Sequence, residues 1–139
     1  MGQRNVKLKQ LKENNMKKLF LNLKQSSELQ KLGFNEPCFG WYEKNELVTL
    51  SDCINPEDRI EFIKEGEISK RILAPMFSQA FNFFREKYDF YVTIHSSLNP
   101  DFFPIIRTSK AQYHIGNLSS YEKAESACLD KLIEIAKNR

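Results

Sequence analysis

The chain has 139 residues, the usual size of one domain, and is 41% hydrophobic and 28% charged, as globular proteins are. No apolar run approaches the ~18 residues of a membrane span, and a net charge of +3 excludes both a strongly acidic and a strongly basic protein. The stretch from Leu19 to Leu23, broken by Asn22, is too short for the apolar part of a secretion signal, so a cytoplasmic protein is expected.

Charge is unevenly placed along the chain. Residues 1–31 carry Arg4, Lys7, Lys9, Lys12, Lys17, Lys18, Lys24 and Lys31 against Glu13 and Glu28, a net +6 that leaves −3 for the remainder. The reading is a basic N-terminal helical arm, residues 1–25, before a single α+β domain, residues 26–139. Met16 followed by Lys17 and Lys18 reads as a second start, with residues 1–15 as a leader or extension outside the core. Arg4, Lys7, Lys9, Lys12, Lys17 and Lys18 would be the nucleic-acid contacts of such an arm.

Residues 26–32 predict a helix, capped by Ser26 or Ser27 and ended by Gly33, with Phe34 placed to fold back on its last turn. Residues 37–42, aromatic and β-favouring, and residues 46–50 predict two strands joined by a turn at Glu43-Lys44-Asn45. Asn55-Pro56-Glu57-Asp58 starts a short helix that ends at Gly66, although residues 59–63 also read as a strand.

A helix over 75–88 is set by Phe77, Ala80, Phe81, Phe84 and Tyr88 at helical spacing. Residues 90–95 alternate as a strand. Residues 102–107 predict a second, placed at a sheet edge because Pro104 cannot donate to a ladder. Residues 112–115 predict a third. The last helix begins at Ser119 or Ser120, where Ser119-x-x-Glu122 satisfies a capping box. The expected fold is α+β: a largely antiparallel sheet of about five strands, with two amphipathic helices on one face.

Three blocks carry a resemblance. The first is Leu32-Gly33-Phe34-Asn35-Glu36-Pro37-Cys38-Phe39-Gly40-Trp41-Tyr42. The second is Ala74-Pro75 with Gln79-Ala80-Phe81 and Phe84-Arg85-Glu86-Lys87-Tyr88. The third is Tyr121-Glu122-Lys123-Ala124-Glu125 with Ala127-Cys128-Leu129 and Lys131-Leu132-Ile133-Glu134-Ile135. Together they span most of residues 32–135. The chain resembles a group of short uncharacterised proteins from Bacteroidetes bacteria and their phages or mobile elements. The resemblance implies a phage or mobile-element context and assigns no catalytic or binding residue.

Catalytic signatures are missing from the sequence. Five scattered glycines build no phosphate loop, and no Gly-x-Ser-x-Gly elbow occurs. His95 and His114 fall on predicted strands, and a metal site would need a third ligand such as Cys53 or Asp101. Cys38 and Cys128 read as core thiols, which leaves Cys53 as the candidate nucleophile. Glu57, Asp58, Glu65 and Glu67 read as a solvated run rather than a facing acid pair. No cofactor, no metal and no enzyme activity are expected.

One surface stands out. Tyr91, Thr93, His95 and Arg107 should point away from the face built by Phe90, Val92 and Ile94, with Trp41 or Tyr42 joining them. That face is either open or covered by the arm and loops. Aromatics beside an arginine suit a protein-binding face, and also a single-stranded nucleic-acid platform. The expectation is a small non-catalytic binding protein, an inhibitor or adaptor, whose partner is a host or phage protein. The alternative is a nucleic-acid-binding accessory protein using its basic arm, and the chain could also self-associate.

Overall fold

The computed structural model describes residues 16–49, 71–99 and 101–139. Arg4, Lys7, Lys9, Lys12, Cys53 and the helix expected at 55–66 lie outside the described residues. In chain order the elements are α1 (Leu23–Lys31), β1 (Gly40–Glu43), β2 (Glu46–Thr49), β3 (Ile72–Ala74), α2 (Phe77–Tyr88), β4 (Tyr91–Ser96), β5 (Phe102–Arg107), β6 (Gln112–His114) and α3 (Tyr121–Lys137). The α+β class holds. The single five-stranded sheet does not: two antiparallel three-stranded sheets form instead, in the orders β2-β1-β3 and β4-β5-β6.

The unexpected strand β3 accounts for the division. It immediately precedes α2 and pairs with β1 through Gly40↔Ala74, Trp41↔Leu73 and Tyr42↔Ile72. This gives the β1–β2 hairpin a third strand of its own. The hairpin turns at Lys44 and Asn45, whose φ values of 48° and 68° match the twist of the flanking strands.

The chain enters the fold before residue 25. Leu21 is fully buried and Phe20 is 7% exposed. Leu21 N–H donates to Pro75 at 3.0 Å, and Phe77 N–H donates to Leu19 at 3.0 Å. Residues 19–25, read as arm from their charge pattern, therefore belong to the body. α1 starts at Leu23 rather than Ser26, because Asn22 and Gln25 form a reciprocal cap. Gln25 N–H donates to Asn22 Oδ1 at 2.8 Å, and Asn22 N–H donates to Gln25 Oε1 at 3.2 Å. Gly33 ends the helix at φ 100°, and Phe34 N–H reaches back to Leu29 at 3.0 Å.

β5 is central rather than an edge strand. Pro104 is buried and opposes Ile94, while Pro104 O accepts from Ile115 N–H at 3.2 Å. The proline can return no bond to Ile115, and the β5–β6 ladder stops one pair earlier, at Ile105↔His114. A short partner strand thus accommodates the missing donor inside the sheet.

One core joins both sheets and all three helices. Leu21, Leu29, Phe84, Ile106, Leu129 and Leu132 have no exposed surface. Phe34 meets Phe83 edge-on at 5.4 Å, and Phe84 stacks on Phe90 at 6.4 Å. Each such side chain stabilises the fold by about 1.5–3 kcal/mol through burial. α3 is capped by Ser120, the second of the two expected starts, whose Oγ accepts from Lys123 N–H at 3.2 Å.

Candidate functional site: the outer face of the second sheet

Strand parity decides which side chains share a face. In the β4–β5 ladder Tyr91 opposes Arg107, Thr93 opposes Ile105 and His95 opposes Phe103. In the β5–β6 ladder Ile105 opposes His114 and Arg107 opposes Gln112. Directly opposed residues lie on one side of a sheet. The other side carries Val92, Ile94, Pro104, Ile106 and Tyr113, and Ile106 is fully buried in the core.

The outer side faces solvent. Tyr91 is 48% exposed; Thr93, His95, Arg107, Gln112 and His114 are also exposed, and Phe103 and Ile105 are half-buried. The His95 ring stacks on Phe103 with centroids 5.3 Å apart and planes 14° from parallel. Tyr91 Oη donates to Asp89 Oδ1 at 2.7 Å, and that bond raises the tyrosine pKa. Gln112 Nε2 and His114 Nε2 lie 3.1 Å apart. β4, β5 and β6 contain no Asp or Glu, so the face pairs apolar rings with Arg107 and two histidines.

Four of the six residues expected on this face are brought together: Tyr91, Thr93, His95 and Arg107. Trp41 and Tyr42 are not among them. They stand on β1 in the other sheet, where Trp41 is 4% exposed. Tyr42 is half-buried, and its hydroxyl donates to Leu21 O at 2.7 Å. Burial raises its pKa. Two sheets in place of one separate them from the face. Phe103, Ile105, Gln112 and His114 were missed, although Phe103 and Ile105 alternate with Arg107. For Gln112 and His114 the absent information was the ladder register.

Among the described residues the other chemical candidates are engaged in structural contacts, while Cys53, Glu57, Asp58, Glu65 and Glu67 lie outside them. Burial pushes the thiols of Cys38 and Cys128 up to about 12, with nearby Glu36 and Glu125 adding to it, so neither is a thiolate near neutral pH. Among the described residues no three His, Cys, Asp or Glu side chains gather as a metal-ligand set. A cleft of about 490 Å³ between α1 and α3 holds Glu28 beside Lys137. The pair is 3.0 Å apart, and the hydrogen bond from Lys137 lowers the Glu28 pKa. A second, of about 230 Å³, holds Lys131, which bonds Glu134 at 3.2 Å and lies over the Tyr113 ring. Of the six basic residues expected to bind nucleic acid, the described ones, Lys17 and Lys18, are exposed.

No helix among the described residues is long and apolar enough to cross a membrane. No protein-family model, curated protein or solved structure matches the chain, and these comparisons give no link to Bacteroidetes or phage proteins.

Proposed function

We propose that this chain is a non-catalytic binding protein of phage or mobile-element origin, an inhibitor or adaptor. Its outer β4-β5-β6 face docks an acidic, partly apolar surface of a host or phage protein. The observation that carries this reading is one exposed sheet face combining Tyr91, the His95–Phe103 stack and Arg107, with no acid in its three strands. Rigid aromatic side chains bury area at low entropic cost, and arginine pairs with carboxylates in a fork. The three sequence blocks support the mobile-element context.

The test is affinity capture from a Bacteroidetes lysate with the wild type beside Arg107→Glu. The reading expects one acidic protein to be retained by the wild type and its recovery to fall at least ~10-fold with the variant, by reversal of charge complementarity. Equal recovery by a folded Arg107→Glu protein removes the reading.

The exposed Lys17 and Lys18 support a second reading, nucleic-acid binding. It expects gel shifts with single-stranded oligonucleotides that weaken steeply with salt and vanish in Lys17→Glu/Lys18→Glu. No shift at low salt ends it.

A further inference from the structure

We propose that the outer edge of β4 is a self-association site. Two copies of the chain pair β4 with β4, antiparallel about a two-fold axis at Thr93, into one continuous six-stranded sheet. This goes beyond the docking reading, because it rests on the outward backbone groups of the β4 edge, with the side chains of β4 setting the register.

The direction of the edge groups follows from the bonds already formed. Ile115 N–H donates to Pro104 and Ser97 N–H donates to Asp101 at 3.1 Å. In an antiparallel strand, successive residues direct their N–H and C=O to alternate sides. Pro104 and Ile106 therefore bond towards β6, and Phe103, Ile105 and Arg107 towards β4. Their partners Tyr91, Thr93 and His95 bond inward. Val92, Ile94 and Ser96 consequently turn their N–H and C=O groups outward. Among the described residues β4 pairs with β5 alone.

Natural sheets protect such edges with Pro, Lys, bulges or very short strands. β4 has none of these. It runs six residues, Tyr-Val-Thr-Ile-His-Ser, in unbroken register with β5. The other edge strands, β2, β3 and β6, are four, three and three residues long. Val92 and Ile94, on the core side, stay half-buried, so apolar surface remains to be covered along this margin.

The sequence is self-complementary about Thr93. Keeping each face intact requires pairs of equal parity. A two-fold at Thr93 sets Tyr91 opposite His95 of the second copy, Val92 opposite Ile94 and Thr93 opposite Thr93. Ring meets ring, β-branched meets β-branched, and no like charges oppose. The outward-facing residues Val92 and Ile94 become the hydrogen-bonded pairs. The neighbouring register, centred on Ile94, sets Val92 against Ser96 and Thr93 against His95, a poorer match.

Sedimentation of the full chain over roughly 1–100 µM tests this, reading mass against dilution. The wild type should reach twice 16.3 kDa. Thr93→Lys and Thr93→Glu place like charges at the axis, and each should weaken the dimer at least ~10-fold. A mixture of the two should restore it, because Lys then faces Glu. Ile94→Pro deletes an outward donor and leaves the β5 ladder whole, so it should also be monomeric with a native circular dichroism spectrum. Amide exchange of the wild type should show Val92 and Ile94 gaining protection as concentration rises. A monomeric wild type, a dimeric Thr93→Lys, or folded Lys and Glu variants that do not restore each other overturns the proposal.

Discussion

Burial sets the chemistry of the two described thiols. Cys38 and Cys128 are 3% and 0% exposed, and Cys38 Sγ spends its proton on Glu36 O at 3.4 Å. With pKa values near 12 they carry roughly a thousandth of the thiolate of an ordinary cysteine. Maleimide at pH 7.5 should therefore leave the peptides holding Cys38 and Cys128 unlabelled in the native protein, and label both after guanidinium unfolding. Mass spectrometry reads the result; rapid native labelling of either would show an opened core. Both were legible as core thiols from their apolar neighbours. The role of Gln25 was not legible, because a polar residue in a basic stretch reads as surface. Gln25 is 2% exposed. Its Nε2 donates to Ser126 O at 3.2 Å, to Ser126 Oγ at 3.0 Å and to Asp130 Oδ1 at 3.0 Å, partners about a hundred residues away.

At the scale of elements, Gln25 ties α1 to α3 while also closing the α1 cap. Gln25→Ala removes the reciprocal half of the cap and the donor shared by Ser126 and Asp130, and should cost about 0.5–1.5 kcal/mol in urea unfolding. A double-mutant cycle with Asp130→Ala should show a coupling of at least ~0.5 kcal/mol. Additive losses would mean that the contact does not join the helices. Local signals located most elements well. Apolar spacing placed α2 and α3, alternation placed β4, and β5 was read at its observed bounds. Their relations were hidden. β3 is three residues beside a charged segment and has no alternation to display, so its pairing with β1 could not be seen. Pro104 pointed to an edge because its missing donor was weighed without knowing how short β6 is.

At the scale of the whole molecule, α1 packs on β3, α2 and α3 pack on the second sheet, and the three helices share one core, while the described residues of the far side of β4-β5-β6 stay largely exposed. The residues of that face were partly legible, since Tyr91, Thr93, His95 and Arg107 follow from alternation alone. Phe103 and Ile105 share the parity of Arg107 and were open to the same reading, whereas Gln112 and His114 required the register, which depends on how the turns close. Partner binding is proposed for this face. Hydroxyl-radical footprinting of the partner-bound protein tests that most directly, with Phe39 and Tyr121, 52% and 47% exposed, as controls away from the face. Binding there should cut oxidation of Tyr91, His95 and Phe103 at least ~3-fold by excluding solvent from the interface core, with Phe39 and Tyr121 unchanged. Protection of Phe39 or Tyr121, with Tyr91 and His95 oxidised as in the free protein, would contradict it.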